Sequence, residues 1–326
     1  MKFAVGLLQS QTGASPDGRI LGQAVEQVRL AEALGFHSAW LTEQHFNAFG
    51  VCPDPLTMLS HLAGVTQRIR LGTSVVVLSI HNPIAIAEQA ALVDQLSGGR
   101  LELGIGKGHP KQNYQAFGVE AEDSAARFYE AHDVLKLAWS GEEFSFQGRF
   151  FSADKVRLVP LPLQSPHPPL WVATFGNPEM IRFAARHGYP LLHTFAGDSL
   201  GQNLDLYRQE YVGAGGPSLN LIRMVYLESD GALARERMRA PARWYLDHNP
   251  GRPPLIADYD KAVHEFIHRL GIIGSPQECI ETIRCLRDEH SIDFLACIFG
   301  PGGVPHEKVM ASMRLFAEKV MPEFAD

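Results

Sequence analysis

Glu43, Gln44 and His45 stand side by side at the end of the apolar run Ala39-Trp40-Leu41. Such a run reads as a short buried strand, and polar groups buried at its end cost free energy unless they find partners or face a binding cavity. Glutamate and histidine can take or give a proton near neutral pH, whereas glutamine can only hydrogen-bond. A second stretch, LELGIGKGHP, places Gly104, Gly106 and Gly108 after a strand-like segment, with Lys107 as a positive charge. Glycines there let backbone amides approach a phosphate. The spacing is G-x-G-x-G, not the G-x-G-x-x-G of dinucleotide folds, and no acidic residue ends a following strand about 20 residues on. Two readings stay open from spacing alone, a phosphate cradle and a glycine-rich turn with a solvated lysine.

The remaining candidate chemistry is sparser. Fourteen histidines are present, and no metal site is expected from them; His61, His132 and His268 fall on helical segments and read as surface or packing residues. No G-x-S-x-G elbow supports a serine hydrolase. Cys52, Cys279, Cys285 and Cys297 show neither the close pairs of a zinc site nor a dense disulfide pattern. Reduced thiols and a cytoplasmic location are the expectation. The net charge is -7 with 45% hydrophobic and 20% charged residues. An acidic chain with no basic run is a poor nucleic-acid binder, and no stretch is apolar for long enough to span a membrane. The first residues, MKFAVGLLQSQTG, have too short an apolar run for a secretory signal.

These residues need elements to position them. Strand-like segments at 3–8, 38–42, 70–77 and 101–105 alternate with amphipathic helical segments. One of these runs to Gly35 as a C-cap, and another starts at Asn82-Pro83 and ends at Gly98. A helix is expected over 124–139, then a small hairpin around Gln147-Gly148 and a proline-rich stretch, VPLPLQSPHPPL. Alternation resumes at 170–174, 190–194, 221–228 and 293–298. Ser275, Pro276 and Glu278 open a late helix with a capping box. Eight strands interleaved with helices in 326 residues predict an α/β fold, a (β/α)₈ TIM barrel with insertions after strands 4 and 7, residues 1–326 forming one domain. A doubly wound sheet is the competing architecture. In a barrel the residues after each strand gather at one face. Here they are Glu43 to Phe46, Ser74 and Val75, Gly106 to His109, Thr174 to Asn177, His193 to Phe195 and Phe299 to Gly302. This polar, aromatic and glycine-rich set suits a pocket for a flat aromatic ligand.

The segments LTEQHFNAFG, GTSVVVLSIHNPIAIAEQAALVDQLSGGRLELGIGKG, YQAFGV and PLWVATFGNPEMIRFAARHGYPLL, in that order, resemble the bacterial luciferase-like flavin monooxygenases. The resemblance implies a (β/α)₈ barrel binding reduced FMN, or in one branch the deazaflavin F420, at its C-terminal face. It sets Lys107 where the luciferase α chain has an arginine on the flavin phosphate, with Gly106 beside it. Ala173, Thr174, Gly176 and Asn177 fall in the segment of further phosphate contacts. Ser74 and Val75 fall where relatives carry a non-prolyl cis peptide against the flavin ring. Two successive histidines of the luciferase motif correspond to Gln44 and His45 here. His45 is therefore the expected proton-handling group, Gln44 and His193 supply hydrogen bonds, and Phe46, Tyr114 and Phe195 wall the substrate pocket. Glu88, Asp94 and Arg100 are assigned to a structural salt network.

The implied activity is that of a two-component monooxygenase that oxidises a small organic substrate with O2. A separate flavin reductase would supply reduced FMN, and the helices after strands two and three would pair two copies into a homodimer. An F420-dependent oxidoreductase and a non-catalytic flavin-binding protein are the alternatives.

Overall fold

A computed structural model describes residues 1–13, 15–108, 111–194, 199–250 and 256–325. Its strands are β1 (Lys2–Leu7), β2 (Ser38–Leu41), β3 (Arg70–Thr73), β4 (Val76–Val77), β5 (Leu101–Gly106), β6 (Phe144–Gln147), β7 (Ser152–Val156), β8 (Leu170–Thr174), β9 (Leu191–Thr194), β10 (Leu219–Leu227), β11 (Ile272–Gly274) and β12 (Phe294–Ile298). The parallel pairings run β1-β2-β3-β5-β8-β9-β10-β12 and return to β1, closing an eight-strand barrel. The doubly wound alternative is excluded by that closure. The short β4 continues β3 past a bulge and pairs β5, and β11 adds to the side of β10.

Side chains alternate along each strand, so every strand feeds two cores. Val5, Leu41, Leu71, Leu103, Val172 and Leu221 face the surrounding helices. Ala4, Trp40, Trp171, Leu192, Ile222 and Phe294 fill the lumen. There Trp40, Trp171 and Phe294 meet edge to face with ring centroids 5.3 to 6.4 Å apart. Gly72 makes room for this, since a Cβ at that position would overlap the Trp40 indole. The barrel is thus plugged, and any ligand must sit at its rim.

The helices follow as expected. They are α1 (Asp17–Ala33), α2 (Pro55–Val65), α3 (Pro83–Ser97), α4 (Lys111–Ala116), α5 (Ser124–Ala138), α6 (Pro178–Arg186), α7 (Leu200–Glu210), α8 (Gly231–His248), α9 (Tyr259–Glu265), α10 (Pro276–His290) and α11 (His306–Lys319). The Asn82 side chain caps α3 and Gly98 ends it at φ 67°. Ser275 and Glu278 form the capping box of α10.

The insertion after the fourth barrel strand carries the β6-β7 hairpin and the proline-rich stretch, and two carboxylates hold it. Glu130 accepts the backbone N–H groups of Arg149, Phe150 and Phe151. Asp94, fully buried, accepts those of Leu163 and Gln164. Arg100 donates to the carbonyls of Ala63, Thr66, Ile69 and Ser97. Asp94 and Arg100 are structural, but they bind backbone and not each other, which corrects the expected salt network. The insertion after the seventh barrel strand holds α8, α9, β11 and α10. Among the described residues no helix is long and apolar enough to cross a membrane.

Candidate active site

The end of β2 delivers the opening triplet to the rim. Glu43 and His45 are buried, and His45 Nε2–H donates to Glu43 Oε1 over 2.7 Å. His81, which follows the 3₁₀ turn after β4, donates its Nε2–H to the same oxygen over 2.9 Å. The N–H of Val77 fills the second oxygen at 2.9 Å. Burial alone would raise the Glu43 pKa, but these donors and the His81 charge outweigh it and hold the carboxyl below its ordinary value. At His81, burial pushes the pKa down, and the hydrogen bond and attraction to Glu43 raise it overall. The result is a buried carboxylate between two imidazoles, of which only His81 reaches solvent appreciably. With Nε2 protonated toward Glu43, Nδ1 of a neutral His45 is the nitrogen left to accept a proton.

The turn after His45 is fixed by Asn47, whose Nδ2 donates to His45 O and whose Oδ1 accepts from Phe49 N. That turn sets Phe46 at φ 57° and leaves it 69% exposed. A bulky residue in the left-handed region marks a position where the surroundings override backbone preference. Phe46 and Phe117 lie 5.6 Å apart, and Phe117 also meets the His45 ring edge-on at 4.9 Å. Gln44 packs against Gly50, with its amide unpartnered among the described residues.

The glycine strip is shaped by packing. A Cβ on Gly106 would press on Val75, and one on Gly104 would strike the Thr73 carbonyl. Lys107 is half-buried, and its carbonyl accepts from Ser79 Oγ and Tyr114 Oη. Its ammonium has no ion pair among the described residues. Tyr114 is buried and ties down this loop through its hydroxyl. Ser74-Val75 is a cis peptide, as the resemblance implies. Ala173 faces the lumen cluster. The N–H groups of Gly176 and Asn177 are occupied by Thr174 Oγ1, and the Asn177 side chain caps α6.

His193 does not join the His45 group. It points outward from β9 to Asn203 of α7, Nε2 to Nδ2 3.2 Å. Burial, with Arg223 nearby, pushes its pKa down to about 4, so it is neutral near pH 7. Phe195 and His109 lie outside the described residues.

Sequence spacing gives no sign of His81, which arrives from 38 positions away. It also passes over Arg127, whose Nε donates to Ser79 O beside the Lys107 loop. Two groups of side chains have the makings of a metal site. Glu43, His45 and His81 bring ligand atoms within 4.8 Å of one another, yet hydrogen bonds already satisfy the carboxylate. The run His264-Glu265-Phe266-Ile267-His268 has the H-E-x-x-H order that the expectation of no metal site overlooks. Both imidazoles are exposed there, and no third ligand joins them among the described residues.

The family model described as luciferase-like monooxygenase matches residues 1–289. The chain belongs to the luciferase-like monooxygenase family. The oxygenase component of the flavin-dependent trigonelline monooxygenase of Acinetobacter baylyi is 28% identical over 335 residues, covering 94% of this chain and 91% of its own. The crystal structure of monooxygenase RslO1 from Streptomyces bottropensis superposes with a TM-score of 0.90 at 29% identity, covering 100% of both chains. The oxygenating constituent of 3,6-diketocamphane monooxygenase from Pseudomonas putida, solved with FMN, gives 0.82 at 17% identity, covering 99% of this chain and 98% of its own. F420-dependent enzymes are also among the solved chains on this barrel. The protein is accordingly an oxidoreductase of a flavin-dependent monooxygenase family.

Proposed function

We propose that the chain is the oxygenase component of a two-component system, taking reduced FMN from a separate flavin reductase and oxidising a small organic substrate with O2. The observation that carries this reading is the Glu43-His45-His81 group beneath exposed aromatic rings at the barrel rim. The residues present fit a flavin phosphate through the unpaired Lys107 ammonium, with Arg127 near the same loop. Gly176 and Asn177 would contribute shape more than hydrogen bonds, because their polar groups are already engaged. Bound FMN would supply the oxygen-activating chemistry.

The chain's own part is proton handling and exclusion of water. His45 Nδ1 accepts or returns a proton, Glu43 holds the ring in the tautomer that leaves Nδ1 open, and half-exposed His81 connects the buried unit to solvent. Phe46 and Phe117 offer an apolar wall that keeps water from the reacting atoms. Gln44 is left to position a polar group of the substrate. His193, neutral and turned toward α7, supports the fold behind the rim.

The two-fold partner is another copy of the chain. On α3, Leu92 and Leu96 are 48% and 57% exposed one turn apart, beside the exposed Leu161 and Leu163 of the insertion. An ordinary outer helix shows a polar stripe there.

The test is an anaerobic spectral titration with FMN and F420, followed by oxygen consumption with a flavin reductase. His45→Ala should slow turnover roughly 100-fold to 10,000-fold with flavin affinity little changed. Tight binding of F420 and not FMN would overturn the cofactor assignment. Normal turnover per folded molecule in His45→Ala would overturn the role of His45.

A further inference from the structure

Two imidazoles and a carboxylate converge on one point at the rim. Glu43, His45 and His81 each bring a ligand atom within 4.8 Å of the other two. His45 Nε2 and His81 Nε2 meet Glu43 Oε1 at 2.7 and 2.9 Å. Zinc and its neighbours take imidazole nitrogen and carboxylate oxygen at about 2.0–2.2 Å, so two ligands of one ion stand about 3–3.5 Å apart. The observed spacings fall short of that by a few tenths of an ångström, which small side-chain rotations close.

Hydrogen bonds satisfy Glu43 as the chain stands, but both imidazole bonds are N–H donations that a cation would replace. His45 makes the exchange without losing a proton: its Nε2–H moves to Nδ1, and Nε2 turns a lone pair to the ion. A charged His81 releases its Nε2 proton to water. The support for a metal is already in place. Val77 N–H fixes Glu43 Oε2 at 2.9 Å, which leaves Oε1 as the ligand oxygen. The Glu43 and His45 side chains are 1% and 6% exposed, and His81, at 27%, opens a way in.

The donor types select the ion. Mg2+ and Ca2+ favour oxygen throughout, whereas two imidazoles with one carboxylate suit Zn2+, Co2+ or Fe2+. The other histidine pair, His264 and His268, has its rings 4.2 Å apart. Both are exposed, and no third ligand joins them among the described residues. Three buried, preset ligands lose less freedom on binding than two exposed ones.

We infer that Glu43 Oε1, His45 Nε2 and His81 Nε2 form a binding site for a divalent transition-metal ion of the zinc class. A bound ion leaves the His45 proton on Nδ1, so that nitrogen can no longer accept one, and the ion acts as a brake on turnover. The brake rests on the proposed proton-handling role of His45, whereas the binding does not.

Titration of the flavin-free protein with Co2+, followed by visible absorption, tests the binding. Saturable uptake is expected, with displacement by Zn2+ and not by Mg2+. His81→Gln should weaken it by about 100-fold or more, since a lost ligand exceeds the roughly 10–100-fold cost of a lost supporting hydrogen bond. A His264→Gln, His268→Gln double variant should leave it unchanged. In the native chain Zn2+ should shift the ring NMR signals of His45 and His81, a readout that needs no variant to fold. The inference falls if neither Co2+ nor Zn2+ binds saturably, or if both ring signals stay in place while Zn2+ binds. It falls equally if the double variant removes the binding and His81→Gln does not. Bound Zn2+ should stop oxygen consumption while the flavin reductase, run alone, continues. Zn2+ held by His45 and His81 with turnover unaffected would uphold the site and count against the role of His45.

Discussion

Replacing Glu43 by glutamine exchanges one oxygen of a buried carboxylate for an amide nitrogen at nearly constant volume, so its effects report on charge. The native carboxylate accepts from His45, His81 and the Val77 N–H at 2.7, 2.9 and 2.9 Å. An amide accepts at one end only. Whichever way the substituted side chain turned, its NH2 group would face at least one of these donors. Hydrogen bonds to charged groups contribute about 1.5–3 kcal/mol each, and removing one partner of a buried charge pair costs about 3–5 kcal/mol. For a chain of this length that corresponds to a fall in Tm of roughly 5–10 °C.

The pH dependence has a defined sign. The His81 pKa is raised, so its share of stability is complete below the ordinary histidine range and is lost as pH rises through the folded value. The Glu43 pKa is lowered, so its share is present above the ordinary carboxylate range and is lost as pH falls through the folded value. Glu43→Gln should flatten both limbs. It should also lower the His81 titration, because burial persists when the attraction is gone. Thermal unfolding across pH checks the first expectation, and NMR titration of the His81 ring, assigned with His81→Asn, checks the second. An unchanged His81 titration together with a melting curve superposable on the native one would refute the charge-pair reasoning.

Lys107→Ala should weaken FMN binding by about 1–3 kcal/mol and leave riboflavin, which lacks the phosphate, unaffected; equal losses for both flavins would assign Lys107 to loop shape. A Leu92→Glu, Leu96→Glu double variant should run as a 36.0 kDa particle in light scattering, against the dimer proposed for the native chain, and a native chain already monomeric at micromolar concentration would remove the homodimer.

Much of the barrel was legible because its elements carry local signals. Asn82-Pro83, Gly98 and the Ser275-Glu278 box each announce a helix boundary through a bond made within a few residues. The strand ends were legible for the same reason, which is why Glu43, His45 and Lys107 could be placed at one rim. Long-range partners were not. The bond joining His81 to Glu43 spans 38 positions and depends on β4 continuing β3 past a bulge. No periodicity records that. Asp94 and Arg100 show the same limit differently: their importance is visible, but a carboxylate and a guanidinium surrounded by loop amides and carbonyls bond those in preference to each other. Strand register decides His193, since one position along β9 separates the lumen, where Leu192 lies, from the helix side.

On the proposed reading, the plugged lumen concentrates proton chemistry on few residues. Trp40, Trp171 and Phe294 close the barrel from below, and Phe46 and Phe117 stand over its rim, so a group working there has little access to water of its own. A lone buried histidine in such a place would stay neutral and resist taking up a proton. Glu43 alters this at His81, whose positive charge it stabilises and which reaches solvent. Gln44 cannot share the task, because an amide does not ionise. Where the luciferase motif sets two histidines in succession, this chain has Gln44 and His45, and His81 meets the same Glu43 carboxylate from the loop after β4.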